Sequence, residues 1–295
     1  MWAVDRPAIS ADEMVRGGAR RMRDRGFAHR LTLAVPGLAK NETVLEGLVA
    51  AQRLCEVRAR DFELEDVTDD ELRWFYTRQV ADARGGSRKQ YDAILAMARF
   101  GLCSYCQYCQ ATTLDHVVAK AHAGGLAISA SNLVPACQQC NKQLLDWVPN
   151  SHVEEMFHPY FESVTSRWLF AEVIEDGPGA LRFFADPAAD LGADVCGRVV
   201  RQFDRLELGQ MYSVVSARDL AEAREIVQGP RAEPDKVPDV RRQVRRDASV
   251  ASAIFAEEAQ RSLTVDANSR RGAAYEALAA SEWFCAQVAA DPADV

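Results

Sequence analysis

The chain has 295 residues, 48 % hydrophobic and 26 % charged, a globular composition that excludes disordered and fibrous classes. Its formal charge of −8 and pI near 5.3 exclude a protein that coats nucleic acid by bulk charge, but leave room for a local basic surface. No apolar run reaches the roughly 18 residues that a membrane helix needs, and the start Met1-Trp2-Ala3-Val4-Asp5-Arg6 lacks a basic-then-apolar secretion pattern, so a cytoplasmic location is expected.

Residues 1–40 are locally basic, with Arg6, Arg16, Arg20, Arg21, Arg23, Arg25, Arg30 and Lys40 against Asp5, Asp12, Glu13 and Asp24. They fit either a solvated helix face or contacts to phosphate. Residues 42–60 place Val44, Leu45, Leu48, Val49 and Leu54 near helical spacing and predict a helix. After an acidic stretch at 61–71, Asp69 can cap a second helix running to Arg78. Gly85-Gly86-Ser87 breaks the chain, and residues 88–100 read as a third helix ended by Gly101.

Residues 101–150 differ in character, carrying only Asp115, Lys120, Lys142 and Asp146 as charged residues besides histidine. Residues 112–118 are β-prone, Gly124-Gly125 signals a turn, residues 126–128 suit a second strand, and helical character resumes from Cys137 to Pro149. Further on, residues 168–174 and 181–185 flank Asp176-Gly177-Pro178-Gly179 and predict a β-hairpin. Helices are expected near 190–205, 217–228, 248–263 and 272–289, with the proline-bearing stretch 229–238 as a connector. There is no internal repeat and no low-complexity tract.

The cysteines carry the strongest signal. Five of the eight lie between 103 and 140, where a disulfide framework would spread them and a reducing cytosol would not keep it. Two Cys-x-x-Cys pairs about thirty residues apart fit a tetrahedral Zn²⁺, because thiolates are soft ligands and a tight knuckle directs two sulfurs at one ion. Four thiolates make a closed structural site, which would pin a short hairpin to the following helix. The second pair is Cys137/Cys140. The first is either Cys103/Cys106 or Cys106/Cys109; the former leaves more chain for a turn and strand before Asp115 and is preferred, with Cys109 then a spare thiol. Cys55, Cys196 and Cys285 sit in apolar settings and are expected in the core.

Zinc alone does not account for the polar residues between the pairs. Leu114-Asp115-His116, then Gly124-Gly125, then Asn132-Leu133, then Cys137-x-x-Cys140-Asn141 resembles the HNH endonucleases, the ββα-metal nucleases, in an H-N-N form. The resemblance implies His116 as the general base for an attacking water, and Asp115 and Asn141 as ligands of a catalytic Mg²⁺ or Mn²⁺. It also implies Asn132 as the residue that holds the loop and orients the His116 ring through backbone contacts. The residue types agree with those roles: an imidazole with pKa near 6.5 accepts protons at neutral pH. A carboxylate and an amide oxygen suit a hard cation. One position departs from the family pattern: Leu144 stands where a lysine is common, and Lys120 or His122 could take over its phosphate contact. His158, in His158-Pro159-Tyr160-Phe161, reads as part of a packed aromatic turn, with a phosphate or metal contact near the site as the alternative.

Beyond the core, the strings at 132–137, 157–161 and 168–169, and more loosely 275–285, are similar to stand-alone bacterial HNH proteins with helical flanks. This likeness implies a DNA endonuclease that serves as an anti-phage defence effector with a partner such as an ATPase subunit. The expected fold class is α+β: a zinc-stabilised ββα core at 101–162, a helical N-terminal region at 1–100, and a hairpin plus helices at 163–295. Lys120 and Lys142 only balance Asp115 and Asp146, so the core has no surplus charge for phosphates, and the flanks must supply it. Candidates are the arginines of 16–30, the group Arg84, Arg88 and Lys89, and Arg241, Arg242, Arg245 and Arg246. The rival to catalysis is a zinc module that only binds nucleic acid or protein; RNA cleavage is a weaker third reading.

Overall fold

A computed structural model of the chain describes residues 3–228 and 247–290. The chain divides into two compact units, Met1–Val164 and Thr165–Val295. Both mix helices with a small antiparallel sheet, so the fold is α+β. The expected connector at 229–238 and the arginines at 241, 242, 245 and 246 lie outside the described residues.

The first unit opens with three helices: α1 (Ala11–Arg21), α2 (Arg25–Leu33) and α3 (Val35–Ala50). Ser10 caps α1 in a reciprocal box with Glu13, and Asp24 caps α2 by accepting from the Phe27 N–H. The helix expected at 42–60 therefore starts earlier and stops at Ala50, after which the chain turns through two short 3₁₀ segments, Leu54–Glu56 and Ala59–Phe62. Helix α4 (Asp69–Phe75) continues as a π-helical turn, Tyr76–Ala81. Its cap is Thr68, boxed with Glu71, and not Asp69. The Asp69 carboxylate is instead engaged by the Gly124 N–H at 2.8 Å, across the unit. Helix α5 (Arg88–Leu95) is shorter than the 88–100 expected: it is capped at Ala96, and the backbone extends at Ala98 (ψ 115°) before a 3₁₀ segment, Arg99–Gly101, with Phe100 (φ 57°) and Gly101 (φ 73°) left-handed.

Strands β1 (Thr113–His116) and β2 (Leu133–Ala136) pair antiparallel, with Asp115 opposite Val134 and His116 opposite Leu133. Residues 126–128 are not the second strand. They belong to a long connection with two 3₁₀ turns, Gly124–Leu126 and Ala130–Asn132; both stretches are buried, and the strand forms at Leu133–Ala136, where the chain pairs with β1. Pro135 is tolerated because a two-stranded sheet leaves it at an edge. Helix α6 (Gln138–Leu144) follows and completes a ββα unit. One core runs through this unit: Met14, Leu31, Leu72, Phe75, Val80 and Ile94 from the helices meet Leu114 and Leu133 from the sheet. The strand is fixed to that core by the Leu114 N–H, which donates to the Tyr91 hydroxyl at 3.1 Å.

The second unit holds the hairpin β3 (Leu169–Ile174) and β4 (Ala180–Ala185), with Gly177 and Gly179 at positive φ in the turn. Helices α7 (Ala193–Arg205), α8 (Leu208–Val215), α9 (Ala217–Gln228), α10 (Ala248–Val265), α11 (Arg270–Ala280) and α12 (Glu282–Ala289) follow. Helix α8 was not expected from the sequence. The helix expected at 272–289 is two helices, because Ser281 is extended (ψ 102°) and caps α12 by accepting from Phe284 N–H. Phe255, Tyr275 and Phe284 form an aromatic cluster in its core. Cys285 is buried as expected, whereas Cys55, within the 3₁₀ segment Leu54–Glu56, and Cys196, in the first turn of α7, are only half-buried. Among the described residues, no helix is long and apolar enough to cross a membrane.

Candidate active site

Cys103, Cys106, Cys137 and Cys140 are buried, and their sulfurs all lie within 4.8 Å of one another. The first pair is therefore Cys103/Cys106; Cys109 sits outside the cluster and donates its backbone N–H to Cys106 Sγ at 3.4 Å. The Cys140 N–H donates likewise to Cys137 Sγ at 3.4 Å, and these N–H···S bonds spread thiolate charge onto the backbone. The knuckle is fastened to the sheet by Ser104 N–H to Pro135 C=O at 3.0 Å. Four buried sulfurs this close together fit a tetrahedral cation, and Zn²⁺ suits four thiolates.

Strand β1 presents Asp115 and His116 on successive positions, so the two side chains leave it on opposite faces. Asp115 points toward the cysteine knuckle, where the Tyr105 hydroxyl donates to its Oδ2 at 2.7 Å. Burial pushes its carboxyl up to about 7, against the Tyr105 hydrogen bond and the His116 backbone N–H, which favour the charged form. No lysine or arginine pairs with it among the described residues. A buried carboxylate without a basic partner fits a cation as its counter-charge.

The His116 ring turns toward the other side. Its Nε2 lies 2.9 Å from the Ala127 carbonyl, and the ring meets the Tyr76 ring edge-to-face at 4.5 Å. A carbonyl only accepts, so Nε2 carries the proton and Nδ1 keeps its lone pair. Burial pushes the imidazole down to about 4, which holds it neutral at physiological pH. Lys120 lies on the same side, with Nζ 4.7 Å from the Tyr76 ring centroid.

Asn132 is fully buried and makes three bonds inside the β1–β2 connection. Its Oδ1 accepts from Val118 N–H at 2.7 Å, and its Nδ2 donates to the carbonyls of Val118 and Leu126 at 3.0 and 3.1 Å. The next carbonyl after Leu126, that of Ala127, is the one that holds His116. Asn141, on α6, spends both Nδ2 protons on β1: one on Leu114 C=O at 3.2 Å, one on Thr113 Oγ1 at 3.3 Å. That leaves its Oδ1 with no donor among the described residues. Thr113 and Asp115 share a face of β1, so the Asn141 amide is brought to the Asp115 side of the strand. No hydrogen bond joins His116 to Asp115 or Asn141.

The other sequence candidates separate. His122 is engaged with Val57 C=O at 3.2 Å, and Lys142 is exposed. Leu144 is buried against the core, which explains why this position cannot be a solvated lysine. His158 is fully buried, bonded through Nε2 to Ser131 C=O at 3.0 Å and packed on Phe161. Arg16, Arg30 and Arg88 pair with Asp12, Glu71 and Asp92, which occupies part of the basic flank. Sequence reasoning missed Tyr105 and Tyr76. An aromatic inside the Cys103–Cys106 knuckle is a visible signal for the first; nothing local signals the second, which arrives from the helical region.

Comparison with known proteins agrees with this geometry. The family model for HNH endonuclease matches residues 103–146. Protein ea31 of Escherichia phage lambda is similar, 24 % identical over 165 residues, or 53 % of this chain and 54 % of that protein. The chain thus spans about half the length of this curated relative. No solved structure matches it.

Proposed function

From the premise that residues 103–146 are an HNH endonuclease domain, we propose that the chain hydrolyses DNA phosphodiester bonds with a divalent cation. The observation that carries this reading is the commitment of His116 Nε2–H to the Ala127 carbonyl, which leaves Nδ1 as a proton acceptor on a ring kept neutral by burial. In this reading His116 is the general base: Nδ1 takes the proton of the attacking water. The Ala127 carbonyl favours the imidazolium that results, and an anionic phosphate beside the ring raises its basicity further. Asn132 is a positioning residue, fixing the loop that carries the Ala127 carbonyl. Asp115 and Asn141 Oδ1 are the oxygen ligands of the cation, Mg²⁺ or Mn²⁺. That cation would supply Lewis-acid stabilisation of the charge developing on the phosphoryl oxygens. Lys120, held beside His116 over Tyr76, takes the phosphate contact that Leu144 cannot make. Cys103, Cys106, Cys137 and Cys140 hold a structural Zn²⁺ with no open position.

Plasmid nicking with Mg²⁺ or Mn²⁺ tests the reading. His116→Ala is expected to lower the rate by about 10²-fold or more; equal activity in both proteins removes the catalytic assignment. A second reading, a zinc module that binds nucleic acid or protein without cutting it, is favoured by the departure of Asp115 and His116 from opposite faces of β1. The same assay separates the two. A role in anti-phage defence, alongside an ATPase-type subunit that delivers the DNA, is supported by the resemblance to stand-alone bacterial HNH proteins. It also agrees with a net charge of −8, which makes unaided duplex binding weak. Purification of the tagged chain from its own cells, with the co-purifying proteins identified, tests it.

A further inference from the structure

A second surface of the first unit has the chemistry of a binding site. An open groove of about 690 Å³ is lined by Arg21 at the end of α1 and Arg23 just beyond it, by Trp74, Arg78 and Gln79 from α4 and its π turn, and by Asp82 and Arg84. Four arginines there face one carboxylate, in a chain whose formal charge is −8. Arg23 and Arg78 make no ion pair or side-chain hydrogen bond among the described residues. Trp74 is 46 % exposed and is braced from behind by Phe27, with ring centroids 6.0 Å apart.

The groove is built rather than incidental. Its two walls are locked where α1 crosses the Gly85-Gly86-Ser87 turn. A Cβ on Gly17 would lie 2.3 Å from the Gly86 carbonyl oxygen, and one on Gly86 would lie 2.3 Å from the Gly17 oxygen, so only glycine permits this approach. The Ser87 hydroxyl is inserted between two groups that an uninterrupted helix would pair. It accepts from Gly18 N–H at 2.8 Å and donates to Met14 C=O at 2.6 Å. Gln79 closes the turn from below, accepting from Gly86 N–H through its side chain at 3.2 Å and from Ser87 N–H through its carbonyl at 2.8 Å. The arginines therefore project from a fixed frame. The π turn, an irregularity common at functional positions, places Tyr76 toward His116 and Arg78 toward the groove.

We propose that this groove binds a nucleic-acid strand, with phosphates on Arg21, Arg23, Arg78 and Arg84 and an unpaired base against Trp74. Arginine forks match phosphate oxygens, and an exposed indole among them suits a base face better than it suits a carboxylate-rich peptide. One π turn supplies both Arg78 to the groove and Tyr76 to the His116 ring, so a single element links the two. The proposal rests on the nuclease reading only for the statement that this strand is the one to be cut.

The test uses the full zinc-loaded chain without added Mg²⁺ or Mn²⁺, and follows fluorescence anisotropy of a short labelled oligothymidylate and of an abasic strand of equal length. Arg23→Ser with Arg78→Ser is expected to weaken binding of both strands about tenfold or more at about 50 mM salt, and to flatten the log–log salt slope by about 1.4. Trp74→Leu is expected to weaken the base-bearing strand about fivefold to a hundredfold and to leave the abasic strand unchanged. Unchanged affinity and slope in the double variant overturn the proposal. So does displacement of the oligonucleotide by polyglutamate as effective as that by unlabelled oligonucleotide, which would mark an acidic protein as the partner. Nicking distinguishes the two failures. Groove-dependent binding without nicking defeats the nuclease reading alone, and nicking with groove-independent binding defeats the groove alone.

Discussion

At the scale of single residues, the site is governed by which polar atoms are already engaged. Asn141 illustrates this: with both amide protons given to β1, its oxygen is the one group left to bind something else. Asp115 is held in a similar way by Tyr105, a residue of the cysteine knuckle, so the cysteine cluster and the carboxylate are mechanically joined. Tyr105→Phe removes a hydrogen bond that favours the ionised carboxyl. The Mn²⁺ concentration for half-maximal nicking is therefore expected to rise about 10- to 100-fold, with the zinc content per chain unchanged. A chain that loses zinc along with activity would show that Tyr105 serves the knuckle instead.

His158 makes a separate residue-scale prediction, about stability. Burial pushes its imidazole down to about 3 from the ordinary 6.5. Between those values the unfolded chain binds a proton that the folded chain refuses, so stability rises with pH across this window and falls as pH drops from 6.5 toward 3. One such group contributes a slope of up to about 1.4 kcal/mol per pH unit. Urea unfolding of His158→Phe between pH 6.5 and pH 4.5 is expected to show a pH dependence shallower by about that amount than wild type. Parallel curves would place the proton elsewhere.

At the scale of elements, the ββα unit is short of apolar mass. Its strands have four residues each and α6 has seven, so neither the helix nor the hairpin is stable alone. A metal held by the four cysteines would compensate by joining the knuckle before β1 to the cap of α6. Chelation of zinc, or Cys140→Ser, is expected to lower the unfolding midpoint of the first unit and to abolish hydrogen-exchange protection in β1, β2 and α6. Amides of α1 should be less affected, since that helix is held by the core of Met14, Leu31 and Phe75 and by Ser87. Full protection in zinc-free protein would show that the four cysteines pack without an ion. The β1–β2 connection depends on side chains rather than on strand pairing: Asn132 takes the place of a ladder, and Asp69 and Asn41 reach in from the helices to Gly124 and Gly125.

At the scale of the whole molecule, charge is the deciding quantity. A chain of net −8 repels a polyanion at long range, so any DNA cleavage relies on local arginines and on screening. Nicking by the isolated chain is therefore expected to be slow, without sequence preference, and to fall by about tenfold or more between about 50 and 200 mM salt. A salt-resistant, site-specific cleavage pattern from the pure chain would contradict this picture.

What the sequence determined by itself was the chemistry carried on short spacings. The Cys-x-x-Cys pairs, the adjacent Asp115 and His116, and Asn141 directly after Cys140 all lie within a few residues of a partner, and a knuckle or one helical turn fixes such neighbours wherever the rest of the chain goes. The hairpin around Gly177 and Gly179 was legible for the same reason. Which residues form β2 was decided by tertiary structure. Residues 126–128 and 133–136 are both apolar, and only burial opposite β1, with Asn132 closing the connection, selects the second. Cys103 was chosen over Cys109 by the position of four sulfurs in space. Tyr76 meets His116, and Arg21 and Arg78 line one groove, across long stretches of chain, through tertiary packing that no local pattern encodes.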